Sequence, residues 1–291
     1  MVSSVINPRP MAQAIRAARH VFLPWLAFSI CASTLSTAAL SAQATGQPNP
    51  VDKTFFTRRD ALWTGVAVVG TVAISRFDER IARWARSPEV QGSQSRHDFV
   101  DALTHVNETP LTIAAILTYG VGRLGRWPTV TDIGIHATEA MVLTDLTSEL
   151  IRGPIGRARP RISPDDAFKF KFGKGFTDFG YRAFPSLHSA AAFAMAAVLT
   201  QEIHERNPQA AWIAGPVLYG AALIPGMTRI YLDQHWASDI ASGAFVGTLF
   251  GAKVVHYAHT HRQSKLDRIL MGGMVAPMRS GGILFTGSFT P

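Results

Sequence analysis

Between residues 58 and 262 one pattern recurs: an apolar segment of helix length, then a stop built from Gly, Pro or clustered charge. Thr57-Arg-Arg-Asp60 reads as a capping box that opens a helix from Ala61 to Ser75, apolar all round and therefore suited to burial in protein or in lipid. Phe77, Ile81 and Trp84 share one side of a surface helix, and a polar loop from Ser87 to Gln94 ends that unit. Further helices are predicted from Pro110 to about Val121, from about Val130 to Ile151 with Gly153-Pro154 as its stop, from Pro185 to about Glu202, over 209–226, and from Gln234 to about His261. The expected fold is all-α, a compact helical bundle of about six core helices.

Asp166 to Phe184 breaks this pattern. Phe and Lys alternate from Phe168, and Gly173-Lys-Gly175 interrupts them, so a small β-hairpin or aromatic loop is inserted here. The economical reading sets one face on the core and the lysines in water. In the functional reading the aromatics, Lys169, Lys171, Lys174 and Arg182 form a mouth for an anionic head group carried on an apolar chain.

Hydrophobic residues make up 47% of the chain and charged ones 16%, more apolar than a soluble protein needs. Most apolar stretches nonetheless run only about 12 to 15 residues between charges, short of the ~18 that a membrane span requires, with 208–227 the exception. The helix over 130–151 carries Asp132, His136, Glu139, Asp145 and Glu149, which are hard to place in a bilayer. A bundle in the periplasm, soluble or membrane-associated, is therefore favoured over a polytopic membrane protein.

Residues 1–44 read as an export signal: Arg9, Arg16 and Arg19 precede an apolar run from Val21 to Leu40, and Ala42-Gln43-Ala44 offers a small-residue cleavage site. A linker over 45–57, a helical catalytic domain over 58–265 and a Gly-rich tail over 266–291, with a small hairpin around Ile283-Leu-Phe285, complete the expected organisation. Removing the signal takes away three arginines and no acid, so the net charge falls from +8 to +5. Cys31 leaves with it, which excludes disulfides, thiolate metal sites and a cysteine nucleophile from the mature chain. A basic, exported chain points to lipid head groups or phosphorylated metabolites as partners, with possible contact to a membrane surface, and away from nucleic acid.

The chemistry concentrates in three places. In Thr228-Arg-Ile-Tyr-Leu-Asp-Gln-His-Trp-Ala-Ser-Asp239, a helix capped by Asp233 puts His235 and Asp239 four residues apart on one face, with Arg229 in the approach. The free N–H groups of its first turn would complete an anion site. Arg152 to Arg161 holds four arginines in ten residues. Pro185-Ser-Leu-His188 opens the helix between them.

Together these resemble the type-2 phosphatidic acid phosphatase superfamily, which includes bacterial acid phosphatases and vanadium-dependent haloperoxidases. The family's Lys, six residues, Arg-Pro is met by Arg152 and Arg159-Pro160; its Pro-Ser-Gly-His by Pro185-Ser186-Leu187-His188; its Ser-Arg, five residues, His, three residues, Asp by Thr228-Arg229, His235 and Asp239. Arg152 keeps the charge of Lys with a planar fork, and Thr228 keeps a hydroxyl. Leu187 supplies a backbone N–H but gives up glycine's freedom at positive φ, so the anion-binding turn is expected to be reshaped or strained.

The resemblance implies a metal-independent phosphatase with no cofactor. His235 would be the nucleophile, Asp239 its orienting carboxylate and His188 the general acid. Arg152, Arg159, Ser186, Leu187 and Arg229 would hold the phosphoryl oxygens, and the substrate would be a phosphate ester, foremost a lipid phosphate or pyrophosphate. The physics is consistent: converging guanidiniums repel one another unless a dianion sits among them, and desolvated, preorganised donors favour charge in the transition state. Two alternatives stay open, a haloperoxidase holding vanadate on His235 and a catalytically silent anion-binding module. Arg157 and Arg161 read as solvated loop charges or outer supports. His256, His259 and His261 read as cations in a helix's last turn rather than a metal tract.

Overall fold

The computed structural model describes residues 55–105 and 107–261, together with the backbone of 273–277 and 283–287. The expected export signal, all but the end of the linker and most of the tail lie outside the described residues. Nine α-helices occur among those described: α1 Arg58–Ser75, α2 Asp78–Ala85, α3 Pro88–Gln91, α4 Gln94–Thr104, α5 Glu108–Gly125, α6 Pro128–Ile155, α7 Leu187–Arg206, α8 Pro208–Tyr231 and α9 Ala237–Thr260. Six of them, α1 and α5 to α9, are 18 to 28 residues long, and the all-α bundle is as expected. In the tail, β1 (Gly273–Pro277) and β2 (Ile283–Gly287) pair antiparallel, Gly273 opposite Gly287, as the small hairpin read from that stretch.

Several boundaries differ from the sequence reading, each for a local reason. Thr57 and Asp60 do form the reciprocal cap of α1. The polar region after Ser87 is helical, as α3 and α4. α5 starts two residues before Pro110, where the Asn107 side chain accepts from the Thr109 N–H, and it runs on to Gly125. Gly153-Pro154 does not stop α6: the helix continues to Ile155, and Gly156, at φ 59°, ends it. At Gly156 a Cβ would lie 1.9 Å from the Lys171 carbonyl oxygen, so both the left-handed backbone and the crossing chain demand glycine.

Residues 166–184 form a loop with two short 3-10 turns, Lys174–Phe176 and Phe179–Tyr181, not a β-hairpin. A single bridge, Arg157 with Phe170, ties the loop back to the chain leaving α6. Pro185 precedes α7 rather than sitting in its first turn, because Ser186 is the cap residue and Leu187 the first helical one.

The core sits where α7 meets α9, α6 and α8. Along α9, Gly243, Gly247 and Gly251 face the backbone of α7, and a Cβ on Gly247 would stand 2.0 Å from the Ala190 carbonyl oxygen. That carbonyl cannot retreat without moving α7, whose first turn carries His188. Gly247→Leu is therefore expected to destabilise the protein by at least about 1–3 kcal/mol, the usual range for overpacking a close contact. Thermal unfolding in detergent reads the loss, and an unchanged midpoint would show that the two helices separate freely.

The outward faces are apolar. α1 buries none of its residues and exposes Leu62, Val66, Val68, Val69 and Val72. α5 exposes Ile113, Ile116, Leu117, Val121 and Leu124, α6 exposes Val142, Leu146 and Leu150, and α8 exposes Trp212, Ile213 and Val217. Apolar area on this scale is unusual for a soluble monomer and marks an interaction surface. Among the described residues, α8 is the helix long and apolar enough by itself to cross a membrane.

Candidate active site

The site is assembled at one end of the bundle from the C-terminal end of α6, the segment after it, the N-terminal turn of α7 and the connection between α8 and α9. The α8–α9 connection differs from its sequence reading. Asp233 does not cap a helix: it adopts a left-handed conformation (φ 54°), and α9 begins at Ala237 with Trp236 as the cap residue. His235 thus lies ahead of α9, with its own N–H and that of Gln234 turned onto the Arg229 carbonyl. The backbone N–H of Trp236 donates to Asp239 Oδ2 at 2.8 Å, which holds that carboxylate at the start of the helix.

His235 is buried. Its Nδ1 lies 2.7 Å from the Ala183 carbonyl and 3.6 Å from Asp239 Oδ2. The carbonyl can only accept, so Nδ1 carries the proton and Nε2 keeps its lone pair. Burial pushes the imidazole pKa down to about 4; Asp239 pulls it upward, and the Arg159 and Arg152 guanidiniums add to the depression. The ring is therefore neutral at physiological pH.

The motif arginines come together. Arg152 donates to the Arg182 carbonyl at 2.7 Å and to Glu149 at 3.2 Å. Arg159 donates to Gln234 Oε1 at 2.5 Å and lies over the Phe179 ring, 3.9 Å from its centroid. Arg229 reaches the Thr104 carbonyl at 3.5 Å. Each of the three retains a buried Nε without a hydrogen-bond partner. Burial lowers the Arg159 pKa to about 9, and the charges of Arg152, Arg161 and Arg229 push it the same way. Three crowded cations with unused donors are suited to an anion by chemistry as well as by position.

His188, the second residue of α7, lies in the field of Arg229, His235, Arg152 and Arg159. Its Nδ1 is 3.4 Å from Glu108 Oε2, a carboxylate of α5 that the sequence reading did not include. With Nδ1 turned to Glu108, Nε2 is the nitrogen left for a substrate. Ser186 is fully buried; its N–H donates to the Asp239 carbonyl at 3.0 Å, and its Oγ accepts from Ser189 at 3.3 Å. Leu187 sits in the first turn of α7 and is not among the positive-φ positions, so its side chain adds no backbone strain and the expected reshaping is not needed.

Of the two readings left open for Arg157, the structure takes the outer support: it is 3% exposed, not solvated. One nitrogen donates to Asp239 Oδ1 at 2.6 Å and Ser238 Oγ at 2.7 Å; the other donates to Asp78 Oδ2 at 2.7 Å. Burial opposes its charge, but Asp239 and Asp78 more than offset that and keep it a cation. Asp78, at the start of α2, also accepts from the Ser238 N–H at 2.9 Å. Arg161 remains exposed, as read.

Comparison with known proteins agrees with this geometry. Residues 134–263, which contain all three motifs, match the family described as the PAP2 superfamily. A lipid A 1-phosphatase of Porphyromonas gingivalis is 39% identical over 89 residues, 30% of this chain, and the chain spans only 19% of that relative's length. A crystal structure described as a transmembrane PAP2-type phosphatidylglycerolphosphate phosphatase of Bacillus subtilis superposes with a TM-score of 0.54 at 18% identity, covering 72% of this chain and 99% of that one. At that identity the likeness speaks for the fold. The segment 134–263, which carries the converging arginines and both histidines, is thus similar to the PAP2 superfamily.

Proposed function

We propose that the protein is a metal-independent phosphatase that releases phosphate from lipid phosphates or pyrophosphates through a phosphohistidine on His235. The observation that carries this reading is the three buried, unpartnered Nε donors of Arg152, Arg159 and Arg229 around a neutral, buried imidazole. The guanidiniums hold the phosphoryl oxygens. His235 Nε2 forms the N–P bond as the P–O bond to the alcohol breaks, and His188 gives its proton to the departing oxygen. Water then attacks phosphorus while His188 takes its proton, the P–N bond breaks, and phosphate leaves.

The lipid assignment rests on the surface. α6 and α8 would extend roughly 42 and 36 Å at ~1.5 Å per residue, enough to cross a hydrocarbon layer of about 30 Å, and α1 and α5, at roughly 27 Å, nearly match it, all with apolar faces outward. The bundle is embedded in the bilayer, its site opening at the surface. Phe168, Phe170, Phe172, Phe176 and Phe179 are exposed beside the site and alternate with Lys169, Lys171 and Lys174, the composition of an interfacial anchor.

The test is phosphate release by the full chain in detergent or vesicles, from lipid phosphates and from a soluble ester, with chelator added at the start of the assay. Turnover of the lipid in chelator is expected. Exchanging Lys169, Lys171 and Lys174 for Gln should cut lipid turnover about tenfold or more, since each surface lysine contributes about 1 kcal/mol towards an anionic membrane. The soluble ester should lose far less. No release from any lipid phosphate would overturn the assignment, and equal losses on both substrates would remove its lipid part.

A further inference from the structure

Far from the arginines, three helices bring a second set of reactive side chains together. His136 of α6, Glu202 of α7 and His259 of α9 place Nδ1, a carboxylate oxygen and Nε2 within 4.8 Å of one another. Glu202 lies fourteen residues after His188 on the same helix, about 21 Å at ~1.5 Å per residue, so this cluster occupies the opposite end of the bundle. We propose that it is a structural site for a divalent first-row transition ion, with Zn2+ the best fit.

The donor set chooses the ion. Two imidazoles and one carboxylate suit zinc and its neighbours, whereas Mg2+ and Ca2+ call for oxygen donors throughout. His136 Nδ1 and His259 Nε2 both converge on the same oxygen, Glu202 Oε1, at 2.5 and 3.2 Å. A tetrahedral zinc with bonds of ~2.0–2.2 Å sets its donors about 3.3 Å apart, so small side-chain movements would seat it. Each ring would then carry its proton on the outer nitrogen.

The surroundings support a ligand rather than an ion pair alone. Arg206 holds the other oxygen, Glu202 Oε2, leaving Oε1 as the single donor that points at both rings. Asp132 stands 3.4 Å from Arg206 and offsets its charge, so the dication would meet one net carboxylate. Glu202 and His136 are 1% and 3% exposed, which keeps bulk solvent from these donors, and a single water would complete the four-coordination that three protein donors leave open. Clasping α6, α7 and α9 here would stiffen the same three helices that carry Arg152, His188 and Asp239 at the far end, without entering the reaction.

The test uses the full chain in detergent, stripped with chelator, dialysed and titrated with Zn2+. One ion per chain is expected by elemental analysis, with a rise in thermal midpoint on binding. His259→Gln, at the half-buried end of α9, and Glu202→Gln, which preserves shape, should each weaken binding about 100-fold or more and abolish the rise. His188→Ala should keep the ion, which separates this cluster from the active-site histidines. No stoichiometric Zn2+ on the wild type, or binding unchanged in both Gln variants, would leave only a buried ion-pair cluster and overturn the proposal.

Discussion

His235→Ala is expected to lower kcat by about 10⁴-fold or more and to abolish the phosphorylated enzyme that a labelled substrate leaves after acid quench. The size follows from the arrangement around the ring. The Ala183 carbonyl fixes the proton on Nδ1, burial keeps the ring uncharged down to about pH 4, and the three arginines supply the field that stabilises the added charge at phosphorus. None of these helps once the imidazole is gone.

His188→Ala should behave differently. With a nitrophenyl phosphate, whose leaving group needs no proton, the phosphoenzyme should still form and then persist, because the water that hydrolyses it has lost its base. Full labelling of the His235 variant would assign the nucleophile elsewhere.

The pH response has a definite sign. Turnover should fall as pH drops through about 4, where His235 takes up a proton and loses its lone pair. Stability falls over a wider range. The unfolded chain protonates this ring near its ordinary value of 6.5 and the folded one only near 4, so between those values the unfolded state holds more protons and is favoured as pH decreases.

The residues of the proposed site were legible because each sits in a short motif with fixed spacing. Arg152, Arg159, His188, Arg229, His235 and Asp239 all lie where three local stretches put them, although the helix start near His235 did not. There the turn at Asp233, a left-handed residue in a sequence that looks like a cap, displaced the boundary to Trp236.

What the sequence hid are pairings between distant segments. Glu108 meets His188 from α5, and His136, Glu202 and His259 meet from three helices, with no local spacing that announces either. The membrane question was obscured for a related reason. The charges that interrupt α6, such as Asp145 and Glu149, gather towards the end of that helix where Arg152 stands, while Val142, Leu146 and Leu150 point outward. Hydropathy along the chain averages these two faces, and only the three-dimensional arrangement separates them.

Arg157→Met is the most damaging change expected outside the residues of the three motifs. Arg157 is the one cation shared by Asp78 and Asp239, both fully buried, and it also donates to the Ala167 carbonyl at 2.8 and 3.0 Å. Removing it leaves two buried carboxylates without their shared counter-charge, a loss of about 3–5 kcal/mol for breaking a buried pair. Turnover should fall as well, since Asp239 would keep the Trp236 N–H but lose the guanidinium that holds its other oxygen beside His235. Arg157→Lys keeps the charge but cannot reach both acids with a fork, and should recover only part of either property.

The cause can be isolated with Asp78→Asn. If the damage is uncompensated negative charge, the double variant Asp78→Asn with Arg157→Met should be more stable than the sum of the two single losses by about 1–3 kcal/mol. Strict additivity in detergent melts would mean that Arg157 acts through its packing on Trp236 and Phe170, whose ring centroids lie 5.7 and 5.6 Å away, and not through the two acids.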